Sequence, residues 1–197
     1  MKTFALVSIN GCILSVYKTD TIDSIIHIQN HSQQVIEIRH DVDCCNAFYD
    51  NSTKEVKQKP DAPSLHHVFN YTTKQWEDPR TLQDLKDAQW AKIKQARAAA
   101  IAAPLVTPYG TFDADEYSRT AITDSVLLLQ TLSKRGQPQT IRFTLADNTD
   151  IDLSVSQIED VGLMLGEKTN LVFEKGRLLR EAIEAATSRE AVEAIVW

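Results

Sequence analysis

Apolar positions along this chain follow two spacings, and the change between them falls near residue 78. Before it the apolar residues come in short runs separated by Asp, Asn, Ser and Gln clusters, the spacing of strands and turns. Thr3 to Ile9 and Cys12 to Tyr17 flank Asn10-Gly11, a strong short-range hairpin signal because both residues tolerate positive φ. Thr21 to Ile28 and Val35 to His40 predict further strands. Glu37 and Arg39 alternate with Ile36 and Ile38, so one face of that strand is expected to meet water. Ala47 to Tyr49 and Lys54 to Gln58 predict a hairpin, as do His67 to Tyr71 and Gln75 to Glu77. Lys59-Pro60-Asp61-Ala62-Pro63 reads as a connector, since each proline lacks a backbone donor and turns its predecessor away from helix.

Beyond Asp78-Pro79 the spacing becomes helical. Thr81 with Asp84 forms an imperfect capping box for a helix from Leu82 to about Ala103, ended by Pro104 and Pro108. Leu82, Leu85, Gln89, Ile93, Ala96 and Ala100 share one stripe of it, with Lys86, Lys92 and Lys94 outside that stripe. Tyr109 to Asp113 is a candidate extended segment, and Asp115 a cap for a second helix reaching about Ser133. Thr140 to Leu145 and Asp150 to Leu153 predict one hairpin, at about 140–153. Ser156 with Glu159 predicts a cap for a long helix, and Thr187 with Glu190 one for a short terminal helix.

The long helix carries Ile158, Leu165, Val172, Leu179 and Ala186 at seven-residue steps, beside a row of Met164, Leu171, Leu178 and Ala185. Such spacing suits packing along another long helix. Gly162, Gly166 and Gly176 argue against its continuity. The predicted fold class is therefore α+β: a small β-rich N-terminal module, residues 1–78, and a helix-dominated C-terminal domain with one hairpin, residues 79–197.

Composition narrows the function classes. A net charge of −6 argues against general binding to a phosphate backbone, which needs a dense basic face. No apolar run approaches the roughly 20 residues that cross a bilayer, so membrane insertion is not expected. Lys2, a short apolar run and Gly11-Cys12 loosely resemble a lipoprotein signal, but Asn10 interrupts the cleavage box and the hairpin reading is stronger. Cys12, Cys44 and Cys45 are odd in number and include an adjacent pair, which suits a reducing compartment better than a disulfide framework. Asn30, Asn51 and Asn70 match a glycosylation pattern that turn residues also produce by chance.

Candidate chemistry is sparse. His40-Asp41-Val42-Asp43-Cys44-Cys45, with His66-His67 downstream, is the densest group of possible ligands, yet adjacent cysteines lack the spacing that directs two sulfurs to one ion. Asp113 and Asp115 could pair as carboxylates, although capping accounts for Asp115 more simply. No phosphate loop, nucleophile elbow or His-Glu-x-x-His segment occurs. The expectation is a protein without catalytic residues, cofactor or metal. Lys92, Lys94 and Arg97 read as a solvated helix face. Trp76, Trp90 and Trp197 suit core anchors or interface hot spots, with an exposed Trp197 favouring the latter.

Several ordered pieces carry a resemblance. They are Trp90-Ala-Lys92-Ile93-Lys94-Gln-Ala-Arg97, Tyr109-Gly110-Thr111-Phe112-Asp113-Ala-Asp115, Phe143 to Asn148, and the ending from Arg180 to Trp197. Together, over about Asp78 to Trp197, they resemble a domain of unknown function at the C-terminus of tailed-bacteriophage tail and tail-fibre-associated proteins. The resemblance implies a virion structural protein, an adaptor or connector at the baseplate or tail fibre. It would be made in the host bacterial cytoplasm, partnered by other tail proteins, with homo-oligomerisation through the apolar stripe. The alternative is a fibre-assembly chaperone absent from the finished particle. The candidate structural or interface residues are Trp76, Trp90, Arg97, Phe112, Asp113, Leu165, Val172, Leu179 and Trp197, with no nucleic-acid partner.

Overall fold

A computed structural model describes residues 1–39, 42–137 and 139–197. The fold is α+β, with a β-rich N-terminal region and helices through the C-terminal half. It divides into two compact units, Met1–Arg80 and Thr81–Trp197.

In the first unit β1 (Lys2–Ser8), β2 (Ile13–Thr19) and β3 (Gln33–Ile38) form an antiparallel sheet in the order β2-β1-β3. The central strand is buried without interruption from Phe4 to Val7, which accounts for its continuous apolar run. Ala5, Val7, Ile13, Ile38 and Ala47 make the small core. The turn between β1 and β2 depends on Gly11, held at φ +97°, where a Cβ would lie 2.2 Å from the Tyr49 carbonyl oxygen. Asn10 keeps a negative φ, so the glycine alone meets the conformational demand.

Two further hairpins follow, β4 (Ala47–Asp50) with β5 (Glu55–Gln58) and β6 (Val68–Asn70) with β7 (Gln75–Glu77). Their turns use the same chemistry. Asp50 accepts from the Ser52 amide at 3.0 Å, and Asn70 accepts from the Thr72 amide at 2.9 Å. Each closes on a left-handed lysine, Lys54 at φ 57° and Lys74 at φ 61°. The shared signal is Asx, one residue, Ser or Thr, Thr, then Lys, at Asp50–Lys54 and Asn70–Lys74.

Thr21 to Ile28 differs from the expected strand: it forms two 3-10 turns, Ile22–Ser24 and Ile26–Ile28. Three consecutive isoleucine-containing steps favoured strand on propensity, but β1 already pairs with β2 and β3, and the segment serves as the crossing between them. His40, the expected end of β3, lies outside the described residues, as does Asp41.

The second unit has α1 (Leu82–Ala102), β8 (Leu105–Thr107), β9 (Gly110–Phe112) and α2 (Glu116–Lys134), followed by β10 (Ile141–Thr144), β11 (Asp150–Leu153), α3 (Val155–Ala185) and α4 (Arg189–Glu193). Thr81 and Asp84 form a full capping box, the Asp84 carboxylate accepting from the Thr81 amide at 2.7 Å. Asp115 caps α2, accepting from the Ser118 amide at 2.8 Å. The long helix begins earlier than expected: Ser154 and Gln157 are its capping box, and Ser156 lies inside it. β11 ends at Leu153, so Ser154 is the first residue freed from the ladder to cap. Ser188, rather than Thr187, caps α4.

A second difference is the β8–β9 hairpin, where only Tyr109 to Asp113 suggested an extended segment. Pro104 and Pro108 end the helix at α1, and the intervening Leu105–Thr107 pairs with β9 across Gly110. That glycine sits at φ +131°, and a Cβ there would lie 2.5 Å from the Leu145 side chain. The two hairpins are joined by the Ala146 amide donating to the Thr111 carbonyl at 2.9 Å.

α1 and α2 both pack on α3. Leu105, Phe112, Ala114, Ile122, Leu129, Leu153, Ile158, Val161 and Leu165 form a continuous core. The seven-residue stripe of α3 therefore faces inward: Ile158 and Leu165 are buried, and Val172 and Leu179 are half-buried. Its partners are α1 and α2 of the same chain, so the stripe does not by itself supply an intermolecular seam. The three glycines do not break α3, which runs through 31 residues. Close helix packing explains two of them: a Cβ at Gly162 would lie 3.0 Å from Val126, and one at Gly176 would lie 3.1 Å from Arg97.

Candidate interaction surface

Trp90 and Arg97 stand two helical turns apart on α1, so both side chains reach the same flank of that helix. There they meet Phe173 and Arg180 of α3. The Arg97 guanidinium lies 5.7 Å from the Trp90 ring and 5.2 Å from the Phe173 ring. Arg180 lies 5.6 Å from Trp90. The four side chains form a ladder of alternating cations and rings, Arg180–Trp90–Arg97–Phe173. Such contacts contribute about 0.5–1 kcal/mol each where exposed.

The ladder has a rigid base. Gly176 is buried, and its missing side chain lets the Arg97 stem lie against α3. Lys86 donates to the Glu184 carbonyl at 2.8 Å, and Arg180 donates to the Glu184 carboxylate at 2.8 Å. Together with Gln83, Asp87, Trp90 and Ile183 these residues border a cleft of about 280 Å³. At the opposite end of α1, Lys168 donates to the Ala103 carbonyl, and to that of Ile101 at 3.4 Å, satisfying helix-terminal oxygens. Burial, and then Arg119, pull the Lys168 pKa below the usual lysine range.

The remaining tryptophans serve packing. Trp76 donates from its indole to the Pro60 carbonyl at 2.7 Å and meets Phe69 edge-on at 5.3 Å. Trp197 is half-buried, with Lys175 4.7 Å from its ring centre, and the preceding Ile195 carbonyl accepts from Gln89 of α1. That docking keeps Trp197 from being the exposed terminal ring that would have marked an interface. Gln89, read as one of an apolar stripe, is buried because it ties α1 to the chain end.

Of the expected structural residues, Phe112 is buried in the core and meets Phe143 edge-on at 6.0 Å. Leu165 is in the same core, whereas Asp113 is exposed. Phe112 and Leu165 thus share the core, and Trp90 and Arg97 meet outside it. Phe173 and Arg180 were not singled out, although their seven-residue spacing gave a signal for one flank of α3.

Elsewhere the possible ligands do not assemble: no group of three or more His, Cys, Asp or Glu side chains is poised for a metal among the described residues. Burial, and then the neighbouring acidic and thiol groups, push the half-buried Cys44 thiol above its usual range. Tyr71 is likewise raised, first by burial and then by a hydrogen bond with Cys12. No helix among the described residues is long and apolar enough to cross a membrane.

The second unit thus defines a class: a three-helix packing with two hairpins, whose exposed chemistry is an aromatic–guanidinium ladder. Residues 84–196 match the sequence model of a family described as a domain of unknown function, DUF4376, and the chain belongs to that family. No curated protein and no solved structure matches.

Proposed function

We propose that the chain is a non-enzymatic adaptor in the tail of a bacteriophage particle, joining components at the baseplate or tail fibre. The observation that carries this reading is the Arg180–Trp90–Arg97–Phe173 ladder, a side-chain set of the kind enriched where proteins dock. The division into two compact units supports it, because each end of a connector needs its own fold. The tail context rests on the ordered motif resemblance from Asp78 to Trp197.

On this reading the partners are other tail proteins, and the chain is made in the host cytoplasm before joining the virion. Homo-oligomerisation would use surface other than the inward stripe. Leu171 and Leu178, 69% and 57% exposed, are the row on α3 left for it.

Mass spectrometry of purified virions is the test. Stoichiometric presence of the chain supports the adaptor. Its absence from particles, with fibres failing to assemble when it is deleted, would replace the adaptor with the assembly-chaperone reading.

A further inference from the structure

Arg97 is unusual among the arginines of its surface. Arg177 is paired with Glu174 and Arg180 with Glu184, both on α3. Arg97 has no carboxylate, carbonyl or hydroxyl acceptor among the described residues, although acidic residues outnumber basic ones 27 to 21. It is also half-buried, and among the described residues no fully buried polar side-chain atom lacks a partner, so its N–H donors open to solvent. The Trp90 and Phe173 rings both lie against the guanidinium, at 5.7 and 5.2 Å, and Gly176 receives its stem. A guanidinium held in this way has its conformational entropy already reduced.

We propose that Arg97 is the anchor of a docking site for a carboxylate side chain of a partner protein, flanked in that partner by an apolar residue that covers Phe173 and Trp90. Glu174 and Glu184 are committed to Arg177 and Arg180, so neither supplies the charge complement of Arg97. The planar fork matches a carboxylate with two parallel hydrogen bonds. Phe173, 40% exposed, supplies the apolar contact. The inference concerns this surface alone and stands whether or not the chain belongs to a phage tail.

The test uses the purified full chain labelled with 15N at arginine. The Arg97 Nε–Hε resonance is assigned by its loss in Arg97→Lys. The probes are acetyl-Phe-Glu-Leu-amide, the same peptide with Gln for Glu, and inorganic phosphate. The Glu peptide should shift Arg97 saturably and at least ten-fold more tightly than the Gln peptide. Arg97→Lys, followed through the Trp90 indole resonance, should weaken that binding five-fold or more, since a point charge lacks the fork. Gly176→Ala, which crowds the Arg97 stem, should weaken it while the helical signal is unchanged. No saturable shift, equal response to the Gln peptide, an equal response to phosphate, or unchanged affinity in both variants would overturn the proposal. Virion composition is a separate measurement, so failure here removes Arg97 as the docking anchor without deciding whether the chain is a tail component.

Discussion

In the β-rich unit Lys59 lies 4.8 Å from the Tyr71 ring and 5.3 Å from Phe69, and donates to the Cys45 carbonyl and the Tyr71 hydroxyl, each at 2.8 Å. Lys74 lies 5.2 Å from Phe48 and donates to the Asn10 carbonyl at 3.1 Å. In the helical unit Arg97 lies between two rings and has no acceptor among the described residues. The same attraction between cation and ring is used in both, to opposite ends. Lysine above a ring still has ammonium protons to give to a carbonyl, so it can close a small fold whose apolar core is limited. An arginine held by two rings with no internal acceptor keeps its N–H donors for another molecule. In the helical unit α1 packs on α3 and carries the buried residues Leu85, Gln89 and Ile93, so the ladder is not its sole anchorage.

This contrast can be tested by damage to either side. The largest effect should come from Phe112→Ala, which empties a fully buried position of the helical core and should cost about 3–5 kcal/mol. Urea unfolding followed by the helical signal should shift, while the tyrosine signals of the β-rich unit keep their midpoint. Gly11→Ala should act on the other unit alone, costing roughly 3 kcal/mol because the new Cβ meets the Tyr49 carbonyl at a positive φ. Hydrogen exchange within β1 and β2 reads that change. A common midpoint for both units in either variant would show that they unfold as one.

Smaller effects distinguish the two kinds of cation. Lys59→Met leaves the Cys45 carbonyl and the Tyr71 hydroxyl without their donor and should cost about 1–2 kcal/mol in thermal unfolding. Arg97→Gln should cost less than about 1 kcal/mol, since it strands no acceptor. If Arg97→Gln proves the costlier, the ladder is a structural clamp. Acid should give the smallest effect. Hydrogen bonds from Lys57 and then Ser52 hold the Asp50 carboxyl below the usual carboxylate range. Its folded pKa is depressed, so its contribution is complete above the ordinary range near pH 4 and declines as pH falls below it, to about the level of a locally loosened turn. Amide exchange in β4 and β5 at falling pH measures this.

Much of the fold was written in local chemistry. Asn10-Gly11, the Thr81–Asp84 box, the Asp115 cap and the prolines after α1 each act within a few residues, so their outcome is readable before any long-range contact is known. The repeated Asx-x-Ser/Thr-Thr-Lys turn was equally local, and its signal lay in comparing Asp50–Lys54 with Asn70–Lys74. The candidate surface was half legible. Trp90 and Arg97 share a helix and could be paired by spacing, but Phe173 and Arg180 come from a helix more than seventy residues away.

The sequence was sufficient for the class of fold, most of the succession of elements and the acidic balance. Those follow from turn stereochemistry, caps, periodicity and charge, which act along the chain. Packing fixed what distance along the chain cannot specify. It turned the seven-residue stripe of α3 inward onto α1 and α2, made Thr21–Ile28 a crossing instead of a strand, and tied Trp197 down near Lys175 through Gln89. It also gave acceptors to Lys59 and Lys74 and, among the described residues, none to Arg97. Whether a charged side chain is consumed by the fold or left for a partner depends on what lies opposite it in space, and that is set when the elements meet.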